Sequence, residues 1–219
     1  MLVLAAPLGA IVEQLHELAT QGSRPQLVIE VASVMEPAVR AGAGIADFVA
    51  THPLAGSERS GAASARANLF ENKVWAYDSA AAEPSAGRAR SFILEMGATP
   101  FPVAAAEHDR IVALTSHLPQ MLAVALGEAL AEALEREDVR ALSGTGLASM
   151  LRLGSSSWPV WRSILDANRV PVAQEVRRLA DILKGFADAL DAQALETLEA
   201  PFAAAAGAAK LAAPRTPKS

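Results

Sequence analysis

Residues 48–61 read FVATHPLAGSERSG. The pattern predicts an apolar strand over Ala46 to Thr51 that delivers His52 into a Pro/Gly/Ser turn carrying Ser57, Glu58 and Arg59. In α/β folds, chemistry collects at the carboxyl ends of parallel strands and on the loops beyond them. With an ordinary pKa near 6.5, a histidine at such a tip is mostly neutral at pH 7 and able to take a proton. A lone histidine there can equally cap a strand; the Pro-x-x-Gly-x-Glu turn behind His52 favours a chemical role.

Upstream, Leu2 to Ala6 is a continuous apolar run, as expected of a strand covered on both faces, and Pro7-Leu8-Gly9 turns it into a helix over Ala10 to Ala19. A second buried strand is predicted over Leu27 to Val31, ending at Ala32-Ser33, with a short helix from Pro37 to Ala41. Downstream lie a small-residue loop (Gly56 to Asn68), a strand (Val74 to Tyr77), a helix (Pro84 to Met96) stopped by Gly97, and a last strand (Thr99 to Val103). Strands alternating with helices imply a mostly parallel, twisted α/β sheet.

From Ala105 the strand signal stops. Over Ala105 to Leu134, Ile111, Leu114, Leu118, Leu122, Leu126 and Leu130 recur close to the helical period, with a kink expected at Pro119. Further helices are predicted over Asp138 to Leu142, Gly146 to Leu153, Pro159 to Asn168, Pro171 to Leu190 and Ala192 to Ala209. The division expected is therefore an α/β unit at 1–104, an all-helical unit at 105–210, and a disordered tail at 211–219.

An apolar content of 52% is ample for a buried core, and a net charge of −5 with no basic run before the last residues argues against nucleic acid or an anionic membrane as partner. The absence of cysteine fits a reducing compartment. The opening MLVLAAPLGAIV has no preceding Lys or Arg and runs into an amphipathic pattern, so it reads as a buried strand and not a leader, and a cytoplasmic protein is expected.

Three motifs, EVASV (30–34), HPLAGSERSG (52–61) and HDRIVALTSHLPQMLA (108–123), together resemble the prephenate/arogenate dehydrogenase family of tyrosine biosynthesis, over Leu2 to about Ala205. The resemblance implies a partial Rossmann-like parallel sheet followed by an all-helical substrate-binding and dimerisation domain, a homodimer, and hydride transfer to NAD or NADP. His52 matches the family's catalytic histidine. Ser33 is similar to a serine near the nicotinamide and the substrate hydroxyl, although it could also cap the next helix, and Ala6 and Pro7 fall in the turn after a cofactor-side strand. Arg152, in GLASMLRLG, resembles the arginine that holds the ring carboxylate; Trp161 matches a family tryptophan, while Trp158 reads as core. Ser116 and Gln120 bracket SHLPQ, where the family usually has a second histidine in place of Gln120, so the departure leaves the preferred side chain, keto acid or amino acid, open. Glu58, beside Ser57, resembles an acid that gates the site by pairing with the arginine. His117 reads as buried and bonded to backbone, His108 with Asp109 as a helix cap in preference to a metal site, and Met35 and His16 receive no role.

Family members open on a strand, a G-x-G-x-x-G turn and a helix. No such turn occurs here, since Gly42-Ala43-Gly44 precedes a strand instead of following one. The expectation is that roughly 60 to 80 residues, about two βα units, are absent ahead of LVLAAPLGA, through a late start or a real truncation, and that without them a dinucleotide is not held in the usual way. Two functions stay open: the dehydrogenase, and a non-catalytic dimeric module that keeps a pocket for aromatic-pathway metabolites.

Overall fold

The computed structural model of the chain describes residues 1–21, 25–56 and 65–212. Five strands form one sheet in chain order: β1 Leu2–Leu4, β2 Val28–Glu30, β3 Phe48–Pro53, β4 Val74–Asp78 and β5 Thr99–Val103. All neighbours are parallel except β3 and β4, which run antiparallel with His52 opposite Ala76.

Adjacent residues on one strand face opposite sides, and the core divides accordingly. On one side Leu4 and Val28 meet Ile11 and Leu15 of α1 (Leu8–Thr20) and Ala38 and Ala41 of α2 (Glu36–Gly42). On the other, Ile29, Val49, Trp75 and Tyr77 meet Ala89 and Ile93 of α3 (Ser85–Glu95). Each of the Leu, Ile and Val side chains contributes about 1.5–3 kcal/mol by leaving water, which makes this sandwich the stable platform for whatever its strand ends carry.

Two sequence expectations need correction. β3 does not stop at Thr51; it continues through His52 to Pro53, because β4 returns beside it and Leu54 N–H donates to Val74 O at 2.9 Å. His52 is thus a half-buried strand residue, not a loop residue. The helix expected over Ala105 to Leu134 is α4 (Ala105–Val112), a π-helical turn (Ala113–His117) and α5 (Leu118–Leu130). The irregularity precedes Pro119, which falls in the first turn of α5, where a missing N–H is harmless.

By length and composition alone, Ala105–Leu130 is apolar enough to cross a membrane. Its buried His108, Asp109, His117 and Gln120 are bonded to His52, to Met35, to Asn168 and to Leu153 in turn, which ties it at four places to the rest of the chain.

Helices α6 (Glu137–Leu142), α7 (Thr145–Leu151), α8 (Trp158–Ala167), α9 (Arg169–Asp191) and α10 (Glu199–Ala212) follow. The last begins later than expected, after a 3₁₀ turn at Leu195–Leu198, and carries helix through Leu211 and Ala212 where a tail was expected. The chain falls into two compact units, Met1–Ala173 and the residues from Gln174 onward. Trp158 is 65% exposed, not core.

Gly42 shows how tightly α2 meets the sheet: a Cβ there would stand 2.3 Å from Phe48 Cδ1, whereas one at Gly9 meets nothing within 4 Å. Gly42→Ala is expected to destabilise the fold by about 1–3 kcal/mol through overpacking, and Gly9→Ala to stabilise it by up to about 1 kcal/mol through helix propensity. Urea unfolding midpoints check both, and equal midpoints for the two variants would contradict this packing.

Candidate active site

α4 buries Ala105, His108, Asp109 and Val112, a stripe at the spacing of a core-facing helix with two ionisable residues in it. Asp109 does not cap its own helix. Its carboxylate reaches α2, accepting the N–H of Met35 (2.8 Å, Oδ1) and of Glu36 (2.9 Å, Oδ2), and so performs the capping expected of Ser33, which makes no cap bond. The same Oδ1 lies 2.8 Å from His108 Nδ1, and His108 Nε2 lies 2.9 Å from His52 Nδ1. The two imidazoles meet edge to face at 5.1 Å between ring centres.

This connectivity selects tautomers. A carboxylate only accepts, so His108 Nδ1 carries hydrogen and donates to Asp109. In neutral His108, Nε2 is then an acceptor, His52 Nδ1–H donates to it, and His52 Nε2 is left with a free lone pair. Burial, reinforced by the neighbouring His108 and opposed by Asp109, lowers His52 to about 3 and keeps it neutral. The result is an uncharged proton acceptor held by a buried, anchored carboxylate.

The network extends to α8 and to Asn168, which ends it. Asn168 Nδ2 donates to Asp109 O (2.7 Å) and lies 3.2 Å from His117 Nδ1. His117 is therefore bonded to a side chain and not to backbone, and burial lowers it to about 4. Its ring meets Trp161 edge to face, with centres 5.7 Å apart.

Two cavities adjoin at His52. One, of about 420 Å³, opens at the carboxyl ends of β1 to β3 and is lined by Ala6, Pro7, Ser33 and His52 opposite Val160 and Ile164 of α8. The other, of about 440 Å³, has Phe101, Ile111 and Ser116 on its walls together with His52 and His108. Small side chains at Ala6, Ala32 and Ser33 line the first, at the strand ends where nucleotide cofactors of such sheets sit.

Gln120 and Arg152 stand apart from these cavities. Gln120 is 4% exposed, donates from Nε2 to Leu153 O (2.8 Å), and has Ser156 Oγ 3.2 Å from its Oε1. Arg152 is exposed on the 3₁₀ turn Arg152–Ser155, and among the described residues its guanidinium has no ion-pair partner. Ser57 and Glu58 lie outside the described residues. The members that sequence reasoning missed are His108, Asp109 and Asn168. For the first two a signal existed, since charged residues at 108 and 109 occupy places in a helical stripe that apolar residues should fill.

Beneath His52, Glu30 is fully buried and accepts the N–H of Ala32 (2.6 Å) and of Thr51 (3.1 Å), tying the Ser33 turn to the strand carrying His52. Burial pushes its pKa up to about 8, with Asp109 adding to the shift and the two N–H donors opposing it.

Residues 1–99 match the family model described as "Prephenate dehydrogenase, nucleotide-binding domain", and residues 104–204 match "Prephenate dehydrogenase, dimerization domain". The chain is 32% identical over 156 residues to the probable prephenate dehydrogenase NovF of Streptomyces niveus, covering 67% of this chain and 43% of that protein. Among solved structures, Synechocystis arogenate dehydrogenase superposes with a TM-score of 0.79 at 25% identity, over 95% of this chain and 77% of the other. Prephenate dehydrogenase from Aquifex aeolicus shares the fold, with a TM-score of 0.82 at 22% identity over 95% and 76% of the two chains. The chain spans 43% to 55% of the length of the curated relatives it matches.

The raised pKa of Glu30 has a consequence for stability. Unfolded, this carboxyl titrates near 4.5; folded, near 8. Its contribution is therefore complete below pH 4.5 and is lost as pH rises through about 8. Glu30→Gln cannot ionise, so the stability of the parent relative to this variant is expected to fall between pH 4.5 and 8 and to level off above. Urea titrations of both proteins across that range check it; a pH-independent difference would contradict the assignment.

Proposed function

Since the chain belongs to the prephenate dehydrogenase family, we propose that it catalyses the oxidative decarboxylation of prephenate or arogenate in cytoplasmic tyrosine biosynthesis, with NAD or NADP as hydride acceptor. In this reading residues 1–104 are the C-terminal part of a Rossmann-like dinucleotide-binding domain. Residues 105–210 bind substrate and pair two copies into a homodimer, a role supported by the exposed Trp158 and Phe202.

The observation that carries the reading is the neutral His52, whose Nδ1 is engaged by His108 while Nε2 remains an acceptor beside Ser33. Ala6, Pro7 and Ser33 would hold a nicotinamide, which when bound would supply the hydride acceptor. The substrate carries a hydroxyl on the ring carbon that loses hydride, and a ring carboxylate that leaves. His52 Nε2 takes the hydroxyl proton as the carbon–hydrogen pair departs as hydride. The bond from ring to carboxylate then breaks, its electron pair stays in the ring, which becomes aromatic, and CO₂ is released. Asp109, through His108, stabilises the imidazolium that His52 becomes.

Ser33 hydrogen-bonds the reacting hydroxyl, Arg152 pairs with the ring carboxylate, and Trp161, Ser116, Ser57 and Glu58 complete the substrate side. The guanidinium of Arg152, exposed and without an ion-pair partner among the described residues, supports its part in this.

With prephenate or arogenate as substrate and reduced nicotinamide as readout, His52→Asn is expected to lower kcat by about 10²–10⁴-fold with KM nearly unchanged. Arg152→Ala is expected to raise KM by at least about tenfold. Normal turnover in the first, or an unchanged KM in the second, would refute the corresponding role.

A further inference from the structure

Resting on that reading, we infer that Gln120 is a positioning residue for Arg152 and not a contact to the substrate's side chain: its buried amide clamps the turn that carries the arginine onto α5. Both ends of the amide are engaged within the chain, Nε2 with Leu153 O at 2.8 Å and Oε1 with Ser156 Oγ at 3.2 Å. Leu153 and Ser156 lie one and four residues past Arg152, so the two bonds grip the turn Arg152–Ser155 along its length.

The rest of the turn is built for the same grip. The single hydroxyl hydrogen of Ser156 is shared between Gln120 Oε1 and Leu153 O (2.8 Å), and Ser155 Oγ donates to Arg152 O (2.9 Å). Gly154 lies close enough to α5 that a Cβ there would stand 3.4 Å from Ala123 O, one helical turn past Gln120. Arg152 itself makes no ion pair among the described residues, so its position depends on the backbone beneath it. Gln120 lines neither cavity beside His52 and is 4% exposed, so its amide is turned into the chain and not toward that space.

A residue that reads the side chain must change the preference between a keto acid and an amino acid; one that only places Arg152 must weaken both ligands alike, through Arg152. Calorimetric titration of prephenate and of arogenate, without nicotinamide cofactor, separates these cases. Gln120→Met is expected to raise both dissociation constants by about 3- to 10-fold in parallel, and to change neither by more than about twofold in an Arg152→Ala background. Ser156→Ala, on the exposed side of the turn, is expected to give a smaller parallel rise and serves as the second variant should Gln120→Met fold poorly.

A change in one ligand alone, an equal loss in the Arg152→Ala background, or no change for either ligand would overturn the inference while leaving the proposed function intact. A parent chain that binds neither ligand would overturn the inference and the proposed function together.

Discussion

The buried carboxylate of Asp109 is the constraint on which the rest of the site depends. It sits on the first helix after the sheet and closes onto the N-terminus of α2, where two backbone N–H groups and the positive end of the helix favour negative charge. Bonds of this charge-assisted kind contribute about 1.5–3 kcal/mol each when buried. Because one of its oxygens also faces His108, the interaction that fixes α4 to α2 also fixes the orientation of two imidazoles. Packing and chemistry here share one set of atoms.

The surroundings keep charge in the site low. Glu30 lies in the same buried region, and with its pKa pushed up to about 8 it is mostly protonated near neutrality; two uncompensated carboxylates so close in a low-dielectric interior would repel. His52 and His117 are both held neutral by burial. The site is thus an apolar space with one anchored anion behind a neutral base, an arrangement suited to accepting a proton from an alcohol and holding the resulting positive charge.

Much of this was legible in the sequence. Short apolar runs separated by Gly and Pro turns mark the strands, and they place His52 and Ser33 near the carboxyl ends of β3 and β2, while the role expected of Ser33 rests on the resemblance of its motif. Other features depend on tertiary partners. Nothing local indicates that β4 returns antiparallel to β3, and it is that pairing which draws His52 into the sheet. The π turn before Pro119 turns on a hydrogen-bond shift that composition does not encode. His108 and Asp109 read as cap residues because their partners are 56 residues away at His52 and more than 70 away at Met35 and Glu36. The motif around Gln120 resembles a substrate contact, whereas the engagement of its amide by residues 153 and 156 is a pairing that spacing along the chain cannot reveal.

The most direct measurement is of the imidazole protons themselves. In ¹⁵N–¹H correlation spectra of the histidine side chains at neutral pH, His52 should carry its hydrogen on Nδ1 with Nε2 bare, and His108 should carry its own on Nδ1 toward Asp109. A His52 protonated at Nε2, or present as imidazolium, would leave no acceptor for the hydroxyl proton and would contradict the account.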